Sequence, residues 1–142
     1  MNNYWETNYR AGQEGVHHFR FAIRPRAEFD EARAERFAVG IGQPLIAIPV
    51  KSEAPPLEPP IAIDADRAVV TMLKRAEDGE GLLVRLYNPG SEPDSVSFHW
   101  PNGRPAVALR SDVWERSLEP LGDVLRLGAY EIATLRFSQP DP

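Results

Sequence analysis

The chain contains no cysteine, so it can form neither a disulfide nor a thiolate metal site, a usage that fits a reducing compartment. Histidine is almost as scarce. His17 and His18 are adjacent, and in an extended segment they point to opposite faces; His99 is far from both, so no metal site is expected within the chain. No run approaches the roughly 20 apolar residues of a membrane-spanning helix. Met1 leads into the polar Asn2 and Asn3 rather than the basic and apolar stretches of a signal peptide, and a cytoplasmic location is expected. There is no basic block either. With 16 Lys and Arg against 21 Asp and Glu, the net charge of -5 argues against nucleic acid as the main partner.

Proline and glycine, by contrast, are plentiful. The 14 prolines and 10 glycines punctuate short alternating segments, which predicts a mainly β chain with many turns. Its 142 residues are most simply one domain, residues 1–142, able to bury about two thirds of the surface of the unfolded chain. The stretch from Gly81 to Phe98, GLLVRLYNPGSEPDSVSF, reads as two strands joined at a turn. Leu82, Val84 and Leu86 fall on one face and Leu83, Arg85 and Tyr87 on the other. Asn88, Pro89 and Gly90 are turn chemistry, since Pro89 lacks an N–H and Gly90 tolerates positive φ. After Pro93, Val96, Phe98 and Trp100 alternate with Ser95, Ser97 and His99.

Elsewhere, His17 to Arg24 reads as a strand with Phe19, Phe21 and Ile23 on one side. Phe29, Arg33, Phe37 and Ile41 recur every four residues, predicting a short helix near residues 29–40 with Asp30 as N-cap and Gly40, Gly42 and Pro44 as stop signals. Leu45 to Val50 reads as a strand, and Ser52 to Pro60 as a proline-stiffened loop. Arg67 to Arg75 and the AEDGEG turn feed the organising stretch as an antiparallel pair. Asn102 and Gly103 give a hairpin signal before a strand from Ala106 to Leu109. Val113, Trp114 and Leu118 mark a short apolar segment, and Val124 to Leu127 precedes a closing strand with Glu131, Ala133, Leu135 and Phe137 on one face. The fold expected is an antiparallel β-sandwich with one short helix.

The opening NNYWETNYR sets Tyr4 and Trp5 beside Asn3. Aromatic faces meet the C–H surface of a pyranose while amides bond its hydroxyls, so Asn3, Tyr4 and Trp5 are the candidates for carbohydrate contact. The plainer reading is an edge strand packing its aromatics. None of the 21 acidic residues forms a pair for which a solvated surface is not the better account, and no catalytic residue is assigned.

Four collinear pieces are also familiar. GVHHFRFAIRP, the helix leading to GQPL at Gly42 to Leu45, VVTMLKRAEDGEGLLVRLYNPGSEP from Val69 to Pro93, and LGAYEIATLRF from Leu127 to Phe137 together resemble the C-terminal β-sandwich region of α-mannosidases in glycoside hydrolase family 38. The opening NNYWETNYRAGQEG looks like the segment that enters this region in bacterial members. The resemblance implies a noncatalytic domain of a zinc-dependent retaining α-mannosidase, whose zinc and aspartate nucleophile belong to an α/β barrel and a helical bundle. No position here matches those motifs, so zinc is expected in that catalytic domain and no cofactor in this chain. The implied partners are the barrel and helical domains, with contact to mannose-containing glycans through a wall of the sugar cleft. A docking role would leave an unusually large apolar patch on the isolated surface. The alternatives are an independent carbohydrate-binding module using Trp5, Trp100 and Trp114, and a structural domain forming a homo-oligomer through an exposed edge strand.

Overall fold

A computed structural model describes residues 15–43, 45–49, 58–103, 105 and 107–138. Among these, one helix, α1 (Glu31–Gly42), precedes eight strands: β1 (Ala62–Asp64), β2 (Val69–Arg75), β3 (Leu82–Tyr87), β4 (Asp94–His99), β5 (Val107–Ser111), β6 (Ser117–Pro120), β7 (Val124–Leu127) and β8 (Ile132–Ser138). They form two antiparallel sheets, one of three strands in the order β1-β4-β7 and one of five in the order β2-β3-β8-β5-β6. The fold is therefore the mainly β sandwich that the alternation predicts.

Local chemistry explains why these elements form. Asp30 takes an extended conformation and its carboxylate accepts the Arg33 N–H at 2.7 Å, capping one of the donors that the first turn leaves open. The helix runs two residues beyond the expected end and stops where Gln43 N–H reaches back to Val39 O. β2 and β3 form a hairpin through the Ala76–Gly81 turn, in which Gly79 and Gly81 both have positive φ. Val84 and Leu86 of β3, Ala133, Leu135 and Phe137 of β8, and Val96, Leu125 and Leu127 of the smaller sheet meet as one core. Burying each Leu or Val contributes about 1.5–3 kcal/mol, so these side chains supply the main force holding the layers together.

Several expectations are corrected. The Asn88 turn does not fold β3 back onto β4: β3 pairs with β2 and β8, while β4 pairs with β1 and β7, so the turn carries the chain from one layer to the other. The Asn102–Gly103 signal likewise closes a turn, with Gly103 N–H donating to Trp100 O at 3.2 Å, but the strands it joins, β4 and β5, belong to different sheets. Turn residues specify a reversal; they do not specify which edge the next strand joins. Residues 17–24 and 45–49 are not strands, although their alternation suits one, because no edge among the described residues pairs with them. The four-residue stripe on the helix is not its buried side either. Phe29 and Ile41 are exposed, and the helix instead buries Ala32 while Arg36 donates to the carbonyls of Ala65, Asp66 and Ala68.

Leu83 is a further surprise. It lies on the face of β3 opposite the core residues, yet it is fully buried. In the sheet it stands between Lys74 and Arg136. Lys74 is drawn to Glu77 and Glu115, and Arg136 to Asp78, so their aliphatic stems flank Leu83.

Candidate functional site

The carbohydrate-contact candidates Asn3, Tyr4 and Trp5 lie outside the described residues, as do most of the proline-rich connection and the tail beyond residue 138. The other tryptophans are placed far apart in character. Trp114 projects from the β5–β6 turn and is largely exposed, whereas Trp100 packs edge-on against Phe137 with ring centres 4.7 Å apart. Among the described residues no three His, Asp or Glu side chains gather where they could hold a metal ion.

The carboxylates of the sandwich are engaged as structural acceptors. Burial opposes ionisation of Asp94, but the N–H groups of Ala68, Arg67 and Ser95 outweigh it and hold the carboxyl below its ordinary range. The Gly128 N–H at 2.6 Å, with Arg110 at 2.9 Å, does the same to Glu131 despite partial burial. At Asp112 desolvation is again overcome, here by the backbone and guanidinium of Arg116 and the N–H of Trp114. Glu115 is lowered by the Glu77 N–H and by Lys74, and Asp78 by the Glu80 N–H and Arg136. A glycosidase acid must be raised so that it carries a proton near neutrality. Among the described residues, every carboxyl that the fold shifts moves the other way.

One amide ties the layers at the organising turn. Asn88 is completely buried; its Nδ2 donates to Glu92 O and Gly128 O, both at 2.8 Å, and its Oδ1 accepts the Gly90 N–H at 3.1 Å. Its own N–H donates to Glu131 O. The side chain thus joins the β3–β4 crossing to the turn before β8.

Two concave features are lined by aromatic side chains. At one end of the sandwich a cleft of about 310 Å³ is lined by Phe98, Trp100, Phe137, Ala108, Leu121 and Asp123. Its floor is the aromatic cluster in which Phe98 and Phe137 also meet, at 5.5 Å. On the opposite side of the functional question is the segment before the sheets. Phe19, Phe21, Ile23 and Phe29, then Leu45, Ile46 and Ile48, are all exposed, with Ile23 at 90% and Leu45 at 102% of full exposure. The helix beside them leaves a second notch of about 300 Å³ lined by Arg24, Ala27, Phe29 and Phe37. Arg24 lies 5.9 Å from the Phe37 ring centre, and Arg26 donates to Asp30 O and Arg33 O, fixing the base of the arm to the helix. The segment alternates like a strand, yet none of the strands among the described residues pairs with it, and the closed sandwich does not require it. Its alternation is legible in the sequence, whereas whether a described strand pairs with it is not.

Residues 67–135 match the family model described as the glycosyl hydrolases family 38 C-terminal beta sandwich domain, which takes in β2 to β7 and most of β8 but not α1 or the arm. No curated protein matches the chain. Among solved structures, an apo exo-carrageenase GH42 from Bacteroides ovatus is similar at a TM-score of 0.42 and 20% identity, over 57% of this chain and 11% of that one. The chain thus spans about a tenth of the length of that enzyme.

Proposed function

We propose, from the match of residues 67–135 to the glycosyl hydrolases family 38 C-terminal beta sandwich domain, that this chain is the noncatalytic brace of an α-mannosidase-type glycoside hydrolase. Its sandwich closes its own core, and its exposed arm docks on the barrel and helical polypeptide that carries the zinc and the nucleophile. The observation that carries this reading is the run of exposed apolar side chains from Phe19 to Ile48 beside a core that is complete without them. The depressed carboxyls support it, since each is engaged in holding a turn or loop. Asn3, Tyr4 and Trp5 are the residues we assign to the wall of the sugar cleft.

The test is an assay of the pure 142-residue protein with an aryl α-mannoside and added zinc, beside the same chain joined to the catalytic polypeptide encoded immediately upstream. Turnover is expected only in the joined protein. Zinc-dependent turnover by the isolated chain, or an upstream frame without a glycosidase, overturns the reading. The aromatic cleft around Trp100 favours one second reading, an independent carbohydrate-binding module. Saturating change in tryptophan emission with mannose oligosaccharides, lost in Trp100→Ala, would establish that reading instead.

A further inference from the structure

The arm raises a question that docking alone does not answer. Residues 17–24 alternate Phe19, Phe21 and Ile23 against His18, Arg20, Ala22 and Arg24, and Phe21 and Ile23 are 75% and 90% exposed. Among the described residues no backbone–backbone hydrogen bond reaches residues 15–25, and none of the strands pairs with them. Covering the aromatic side chains with a partner surface would also take the adjacent peptide groups out of water. Buried peptide N–H and C=O groups must then be paired, because each one left unmet costs about 1–3 kcal/mol. A flat apolar surface cannot supply that pairing, whereas an open strand edge can.

We infer that residues 17–24 dock by strand addition, completing a sheet in the catalytic polypeptide of the parent enzyme. The inference rests on the docking role proposed above. Eight residues at about 3.3 Å each give a ladder of roughly 26 Å, the length of an ordinary strand. Pro25 ends it, having no N–H to contribute. The sequence also states the chemistry of the receiving edge. Between Val16 and Ala27 the segment holds Arg20, Arg24 and Arg26 and no acidic residue, in a chain whose net charge is -5. The edge it joins therefore offers an apolar row for Phe19, Phe21 and Ile23 on one face and a carboxylate facing Arg20 on the other, Arg24 and Arg26 being engaged within the chain. The Arg24–Phe37 contact and the Arg26 bonds hold the segment where it leaves the helix, so the sandwich and the added strand move as one body.

Amide-resolved hydrogen exchange on the isotopically labelled chain tests this, alone and with the catalytic polypeptide. Alone, residues 17–24 should exchange at nearly free-peptide rates. Bound, one alternate set of amides, either 18, 20, 22 and 24 or 17, 19, 21 and 23, should slow by about a hundredfold or more while the other set stays fast, the signature of pairing along one edge. The Phe19→Ser/Phe21→Ser double variant, whose changes lie outside the core, should remain folded and lose the protection. If a complex forms and these amides stay fast or slow without alternation, strand addition is wrong and the docking role stands. If no complex forms, both fall. Protection that grows with concentration in the chain alone would assign the edge to a second copy and overturn the inference.

Discussion

Asn88→Ala is the sharpest probe of how the two layers are joined. The substitution deletes three hydrogen bonds at 2.8, 2.8 and 3.1 Å from a side chain with no solvent exposure, and it strands the Gly90 N–H in a turn that water reaches poorly, leaving the Gly128 carbonyl only the Glu131 N–H at 3.4 Å. At about 1 kcal/mol net for each bond, with an added penalty for a buried group left unmet, the loss is about 3–4 kcal/mol. That is a large part of the roughly 5–15 kcal/mol that ordinarily separates folded from unfolded domains. In urea, with a slope of about 2 kcal/mol per molar, the midpoint should fall by roughly 1.5–2 M. Asn88→Asp refines the test. The new carboxyl keeps the acceptor but faces two carbonyls in a buried site, so its folded pKa is raised above the unfolded value. The variant should be least impaired below about pH 4, the unfolded value, and should lose stability as pH rises through the folded value. A midpoint shift below about 0.3 M for the alanine variant, measured by circular dichroism in urea, would show that the amide is not what holds the turn.

Other outcomes follow from single contacts. Gly81 and Gly103 have nearly the same φ, +93° and +92°, but a Cβ on Gly81 would lie 2.2 Å from Phe137 O whereas one on Gly103 meets nothing within 4 Å. Gly81→Ala should therefore cost about 2–4 kcal/mol and Gly103→Ala only about 1 kcal/mol, read as paired urea midpoints; equal losses would refute the steric account. Asp94 has a folded pKa below its unfolded one, so its stabilisation is present above about pH 4 and is lost as pH falls through the folded value. Asp94→Asn should lower stability at pH 7 by about 1–3 kcal/mol and flatten the acid limb of a thermal-melt profile, which an unchanged limb would contradict.

The local grammar of the chain was readable because it is set by neighbours in sequence. Asp30 caps its helix through a donor three residues on, the β2–β3 hairpin closes over a six-residue turn, and the core face of β8 follows from a period of two at Ala133, Leu135 and Phe137. Alternation also named the sandwich class. What alternation does not carry is the identity of the partner strand. That Asn88 and Gly103 send the chain across the layers, that Leu83 is covered on the outer face by stems tethered to Glu115 and Asp78, and that no strand among the described residues pairs with the strand-like arm all depend on groups tens of residues away. A residue's own torsions and polarity decide whether it is extended and which way it prefers to face. Only the assembled sheets decide whether a matching edge exists, because a strand's hydrogen bonds are completed by another segment.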